Sequence, residues 1–146
     1  MSIPPELLTA YEKSLYVVRS NPSILLRIGQ KSEELAQLLA QYEADSGALL
    51  TSDNPRSEPR NSAENAFHRD QLQREVIHTQ LPFLCTVSID PSGQWPDEHG
   101  FLVLDLSASE LQRLLVLFDQ WAAVWIEKDG TVRIVSQRVE SEPESD

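Results

Sequence analysis

The segment Thr51-Ser52-Asp53-Asn54-Pro55-Arg56-Ser57 collects residue types that can grip an anion. It follows a short apolar run, Ala48 to Thr51, that reads as a buried strand, and it precedes a helix expected over about residues 62–79. In open α/β sheets ligands bind beyond the carboxyl ends of strands. The start of a helix adds unpaired backbone N–H groups and a positive dipole end. Arg56 and Arg60 carry forked guanidinium groups suited to phosphate or carboxylate, and the Ser57 hydroxyl lies beside them. The plain alternative is a proline-bearing connection with Asn54 in an Asx-turn and Arg56 in water. Asn65 falls in the first turns of the helix, where it either joins this loop or satisfies a neighbouring backbone group.

A second candidate is Trp95-Pro96-Asp97-Glu98-His99. A carboxylate beside an aromatic ring at the entrance to a strand can have a raised pKa and act as general acid or base, which makes Glu98 the candidate. Otherwise Trp95 packs on the core and the two carboxylates face water. Gln120 opens a third polar point, followed by Trp121 and Trp125, four apart and on one face of a strand. Those rings are core, or they stack on a base. His68 and His78 lie ten residues apart on one helix and do not form the i, i+4 pair that grips zinc. No metal and no cofactor is expected. Cys85 sits in an apolar strand and reads as an inert core thiol.

The elements that must position these groups follow from periodicity and punctuation. Pro4 and Pro5 open a short helix to Lys13. Residues 15–18 and 23–28 are strands around Asn21-Pro22. Ser32 caps a helix reaching about Asp45, with Leu35, Leu38, Leu39 and Tyr42 as its apolar stripe, and Gly47 stops it. Asn61 with Glu64, and Ser107 with Glu110, are capping boxes for helices over 62–79 and 108–119. Strands are expected over 83–89 and 101–106, then a hairpin of 121–127 and 131–136 around Asp129-Gly130. Hairpins flanking helical crossovers predict an α/β or α+β fold, a single mixed β-sheet covered by about three main helices.

Composition narrows the function classes. The chain has 146 residues and a formal charge of -11, against the surplus of Lys and Arg that a duplex nucleic-acid binder needs. One cysteine permits no internal disulfide, and the first residues show no secretory pattern. The apolar stretches 114–118 and 121–126 are too short for a membrane helix. A cytoplasmic protein is expected, with one globular domain over residues 1–139 and a disordered acidic tail over 140–146.

Several of these segments together resemble a family of small bacterial proteins, the domain of unknown function numbered 3293. The resemblance rests on Leu26-Arg27-Ile28-Gly29, on Thr51-x-x-Asn54-Pro55-Arg56-Ser57 and on Ser62, Glu64 and Asn65. It continues through Trp95-Pro96-x-Glu98 and Gln120-x-Ala122-x-x-Trp125. The family has an apolar or aromatic residue before Asn-Pro, where this chain has Asp53. The resemblance implies no particular reaction, but it implies that Asn54, Arg56, Asn65, Glu98 and Gln120 form one polar site. Two functions follow. One is a site for a small anionic ligand, phosphate- or nucleotide-like, held by Arg56 and Ser57, oriented by Asn54, Asn65 and Gln120, with Glu98 as acid or base. The other is a non-catalytic interaction protein whose acidic surface meets a basic protein partner.

Overall fold

The computed structural model describes residues 3–54 and 58–138. The chain runs α1 (Pro5–Lys13), β1 (Leu15–Val18), β2 (Ile24–Leu26), α2 (Glu33–Gln41), β3 (Ser46–Thr51), α3 (Ser62–Thr79), β4 (Phe83–Ile89), β5 (Glu98–Leu104), α4 (Ala108–Leu117), β6 (Ala122–Glu127) and β7 (Val132–Ser136). The expected disordered tail over 140–146 lies outside the described residues. No described helix is long and apolar enough to cross a membrane.

Seven strands form one sheet in the order β2-β1-β4-β5-β3-β6-β7, and every neighbouring pair is antiparallel. This corrects the expected mixed sheet with about three main helices. The helical crossovers do join strands that run the same way, as the sequence pattern implies. Each such pair, however, is held apart by at least one strand from elsewhere in the chain. β5 lies between β3 and β4, and β3 lies between β5 and β6. Local periodicity reports the crossovers but not the insertions, which are long-range events. Among the described residues there are four helices, since α1 packs as an element of its own over the sheet near Glu98.

The sheet curls into a half-barrel, and the segment after β2 reaches the start of β7. After β2, the Gly29 and Ser32 amides donate to Val132 and Gly130 carbonyls at 2.8 and 2.9 Å, and Val132 N–H returns to Gln30 at 2.8 Å. The inner face carries Tyr16, Leu26, Leu49, Leu102, Leu104, Val124 and Ile126 against Leu35, Leu38 and Leu39 of α2. The outer face carries Leu50, Phe101, Val103 and Ala123 against Leu72 and Val76 of α3 and Leu111, Leu114 and Leu115 of α4. Each fully buried leucine contributes about 2 kcal/mol by transfer from water. Cys85, expected in the core, is exposed; alternation along β4 turns it to the outer face where the helices leave it uncovered.

Ser32 joins this contact to α2. Its hydroxyl oxygen accepts from Leu35 N–H at 3.2 Å as the N-cap, as expected from the sequence. Ser32→Ala is expected to cost about 1 kcal/mol in urea denaturation, the usual worth of such a cap. A change below a few tenths would mean that the Gly130 contact alone holds the helix start.

Strand β5 begins three residues before the expected start at Phe101, and this decides the site. It brings Glu98, His99 and Gly100 into the ladder, where Glu98 pairs with Ser88 and Gly100 with both Thr86 and Thr51. Gly100 permits a close approach, since a Cβ there would run into the Leu50 carbonyl oxygen.

Candidate functional site

Ser52, Asp53 and Asn54 leave the carboxyl end of β3 and turn inward, and all three are buried although all are polar. Buried polar groups need partners. Asn54 N–H donates to Asn65 Oδ1 at 2.9 Å, and its own Oδ1 accepts from Asn65 Nδ2 at 3.0 Å and from Arg60 N–H at 2.9 Å. Its Nδ2 donates to Glu98 Oε2 at 3.0 Å. The Asn54 backbone is left-handed, with φ 47°, a region asparagine tolerates better than most residues. One side chain thus ties the loop, the first turn of α3 and the first residue of β5 together.

Asp53 provides the second knot. Its Oδ2 accepts from His99 N–H at 2.8 Å, and Arg69 Nη2 reaches both carboxylate oxygens at 2.9 and 3.0 Å. The pair is asymmetric, with Asp53 2% exposed and the Arg69 side chain 32% exposed. Charge-assisted bonds of this type offset the cost of burying the carboxylate. Gln120, itself buried, donates from Nε2 to the Asp53 carbonyl at 3.1 Å and so pins the same loop from the end of α4.

Glu98 shares the inner face with Leu102 and Leu104. Ser88 is its cross-strand neighbour, and Tyr16 is the neighbour of Ser88 on the other side. Adjacent strands bring such residues within about 5 Å at Cβ, so Tyr16, Ser88 and Glu98 form a row across three strands. The row borders a cavity roofed by Leu7, Ala10 and Tyr11 of α1 and flanked by Trp95. Its space between atoms, the open mouth included, is about 660 Å³. Burial pushes the Glu98 carboxyl up to about 7; the Asn54 amide acts in the opposite direction, and the Asp53 charge adds to the rise. Burial also raises the Tyr16 phenol. At the mouth, Asp90 accepts from Ser92 Oγ and from the Ser92 and Trp95 amides, which hold its carboxyl below the usual range and set Trp95 in place.

The structure therefore brings Asn54, Asn65 and Glu98 into one hydrogen-bonded cluster and attaches Gln120 to it through the Asp53 carbonyl. Of these, Glu98 alone lines the cavity; the amides of the others face one another, Glu98 and the backbone. Arg56 and Ser57 lie outside the described residues. Arg60 contributes its backbone N–H, while its side chain lines a separate groove with His68 and Arg74 on the outer side. No local signal in the sequence marks Asp53 and Arg69, sixteen residues apart, as partners. Tyr11 had a signal, since Leu7, Ala10, Tyr11 and Ser14 repeat at i, i+3, i+4 and i+7 and all line the cavity.

A family of proteins described as of unknown function (DUF3293) matches residues 50–123, just over half of the chain. The chain belongs to the DUF3293 family. The match runs from the end of β3 to the start of β6 and takes in Asp53, Asn54, Asn65, Arg69, Glu98 and Gln120. The DUF3293 segment thus holds both knots and the carboxylate, whereas α1 and Tyr16, which complete the cavity, precede it. No curated protein and no solved structure matches the chain significantly.

Proposed function

We propose that this DUF3293 protein binds a small organic molecule in the cavity between α1 and the inner face of the sheet, with Glu98 as the group that exchanges a proton with it. The observation that carries the reading is one carboxyl, raised to about 7, at the wall of a largely apolar cavity. A group titrating near neutrality holds and releases a proton with little driving force either way, which suits a general acid or base. Small-molecule sites are usually concave, mostly apolar and furnished with a few placed polar groups. Asn54 acts as a positioning residue: it fixes Glu98 Oε2 and leaves Oε1 without a hydrogen bond among the described residues.

The described lining carries no Lys or Arg, so support for the reading comes from the carboxylate and not from an anion cradle. A fragment library containing cations, anions and neutral compounds, screened by amide chemical shifts, tests it. Hits are expected to perturb Tyr16, Ser88, Glu98 and Val124 together. A library that moves none of these residues overturns the reading.

A further inference from the structure

Three features of the cavity bear on which ligand it takes, and the inference rests on the binding reading above. The first is charge. Among the described lining residues the ionisable groups are Glu98, Asp90, Tyr11 and Tyr16, and none is a cation. The second is the wall material. Tyr11, Tyr16 and Trp95 are three of the ten aromatic residues in the chain, and they come from α1, β1 and the β4–β5 loop to line one space. The third is the arrangement of acceptors. Glu98 Oε2 is taken by Asn54 while Oε1 has no partner among the described residues, and Ser88 stands beside it in the ladder.

We infer that the cavity takes an organic ammonium ion, its charged head set against Glu98 and Ser88 and its carbon skeleton against Tyr11, Tyr16 and Trp95. An ammonium group has three N–H donors and no acceptor, matching a site whose open positions are a carboxylate oxygen and a hydroxyl. Aromatic faces attract cations through their quadrupole, and the attraction grows as water is excluded. An anion would meet Glu98 and Asp90 with no described basic residue to offset them. A neutral ligand would leave a charged Glu98 without a countercharge, a form that its partly buried position already disfavours. Asp53 stands behind Glu98 but is occupied by Arg69 and His99 N–H, so it does not compete for the ligand.

The test uses matched probes on the full chain: benzylamine and cyclohexylamine, their neutral counterparts benzyl alcohol and cyclohexanol, and benzoate, titrated at pH 8 by amide chemical shifts. The amines are expected to bind on the order of tenfold more tightly than the alcohols, and benzoate not at all. Glu98→Gln is expected to remove the preference while leaving the alcohols within about twofold. Trp95→Leu, which keeps the carboxylate, is expected to weaken the amines more than the alcohols. Alcohols binding as well as amines, or benzoate binding best, overturns the ammonium inference while the cavity reading stands. If neither these probes nor the fragment library perturbs the inner face, both fall together.

Discussion

Asn54→Ala is expected to destabilise the protein by about 4 kcal/mol, a large share of the ~5–15 kcal/mol that holds a domain of this kind folded. The substitution removes three side-chain hydrogen bonds at a buried position. Arg60 N–H and Asn65 Nδ2 lose their acceptor, Glu98 loses its donor, and each group left unpaired in the interior costs about 1–3 kcal/mol. The left-handed backbone at φ 47° adds roughly 1–2 kcal/mol for a residue with a plain Cβ. Partial solvation of the loop side lowers the sum. Urea denaturation measures it, and a loss below about 1 kcal/mol would mean that the cluster is incidental to folding. Asn54→Asp separates the hydrogen bonds from the backbone. It keeps the acceptor for Arg60 and Asn65 but sets a second carboxyl against Glu98 Oε2, so the variant should be much weaker at pH 8 than at pH 5, where the pair can share a proton.

That a single asparagine carries so much follows from where it sits, and its position was only partly legible from local pattern. The turn chemistry was readable. Asn61, Ser32 and Ser107 are all N-caps whose side chains accept from the third helical amide, as residue type predicts for Ser32 and the spacing to Glu64 and Glu110 predicts for the other two. β4 and the β6–β7 hairpin also lie close to where alternation and Asp129-Gly130 place them. What local pattern lacks is the partner of each strand. Glu98-His99-Gly100 has little strand propensity of its own, yet β3 and β4 pair with it from both sides, and pairing overrides propensity. The Trp95–His99 segment therefore reads as a loop with solvated carboxylates until those neighbours are known. Asp53 illustrates the same limit. In the sequence it is only a departure from the family pattern, whereas its partners Arg69 and His99 N–H, 16 and 46 residues away, make it a second anchor for that loop.

The other large effect is a change of sign with pH. The Glu98 carboxyl is raised from an ordinary 4.5 to about 7, chiefly by burial. Between those values the folded protein holds a proton that the unfolded chain has released, so stability falls as pH rises through this window. The contribution is complete below about 4.5 and lost above about 7. At about 1.4 kcal/mol for each pKa unit the full rise is worth about 3.5 kcal/mol, and for a carboxyl that keeps some contact with water it amounts to roughly 2–3 kcal/mol. Glu98→Gln keeps an oxygen to accept from Asn54 Nδ2 and carries no charge at any pH. The variant should therefore resemble the parent near pH 4.5 and exceed it by about 2 kcal/mol at pH 8. Paired urea titrations at the two pH values isolate the effect, because the other carboxylates titrate alike in both proteins. An unchanged difference between variant and parent would sink the claim that Glu98 is held protonated by its surroundings. The gain in the variant would identify Glu98 as a residue that costs stability in its charged form. Such a cost is what an acid–base or cation-binding role requires, since a bound ammonium would supply the countercharge that the folded chain withholds.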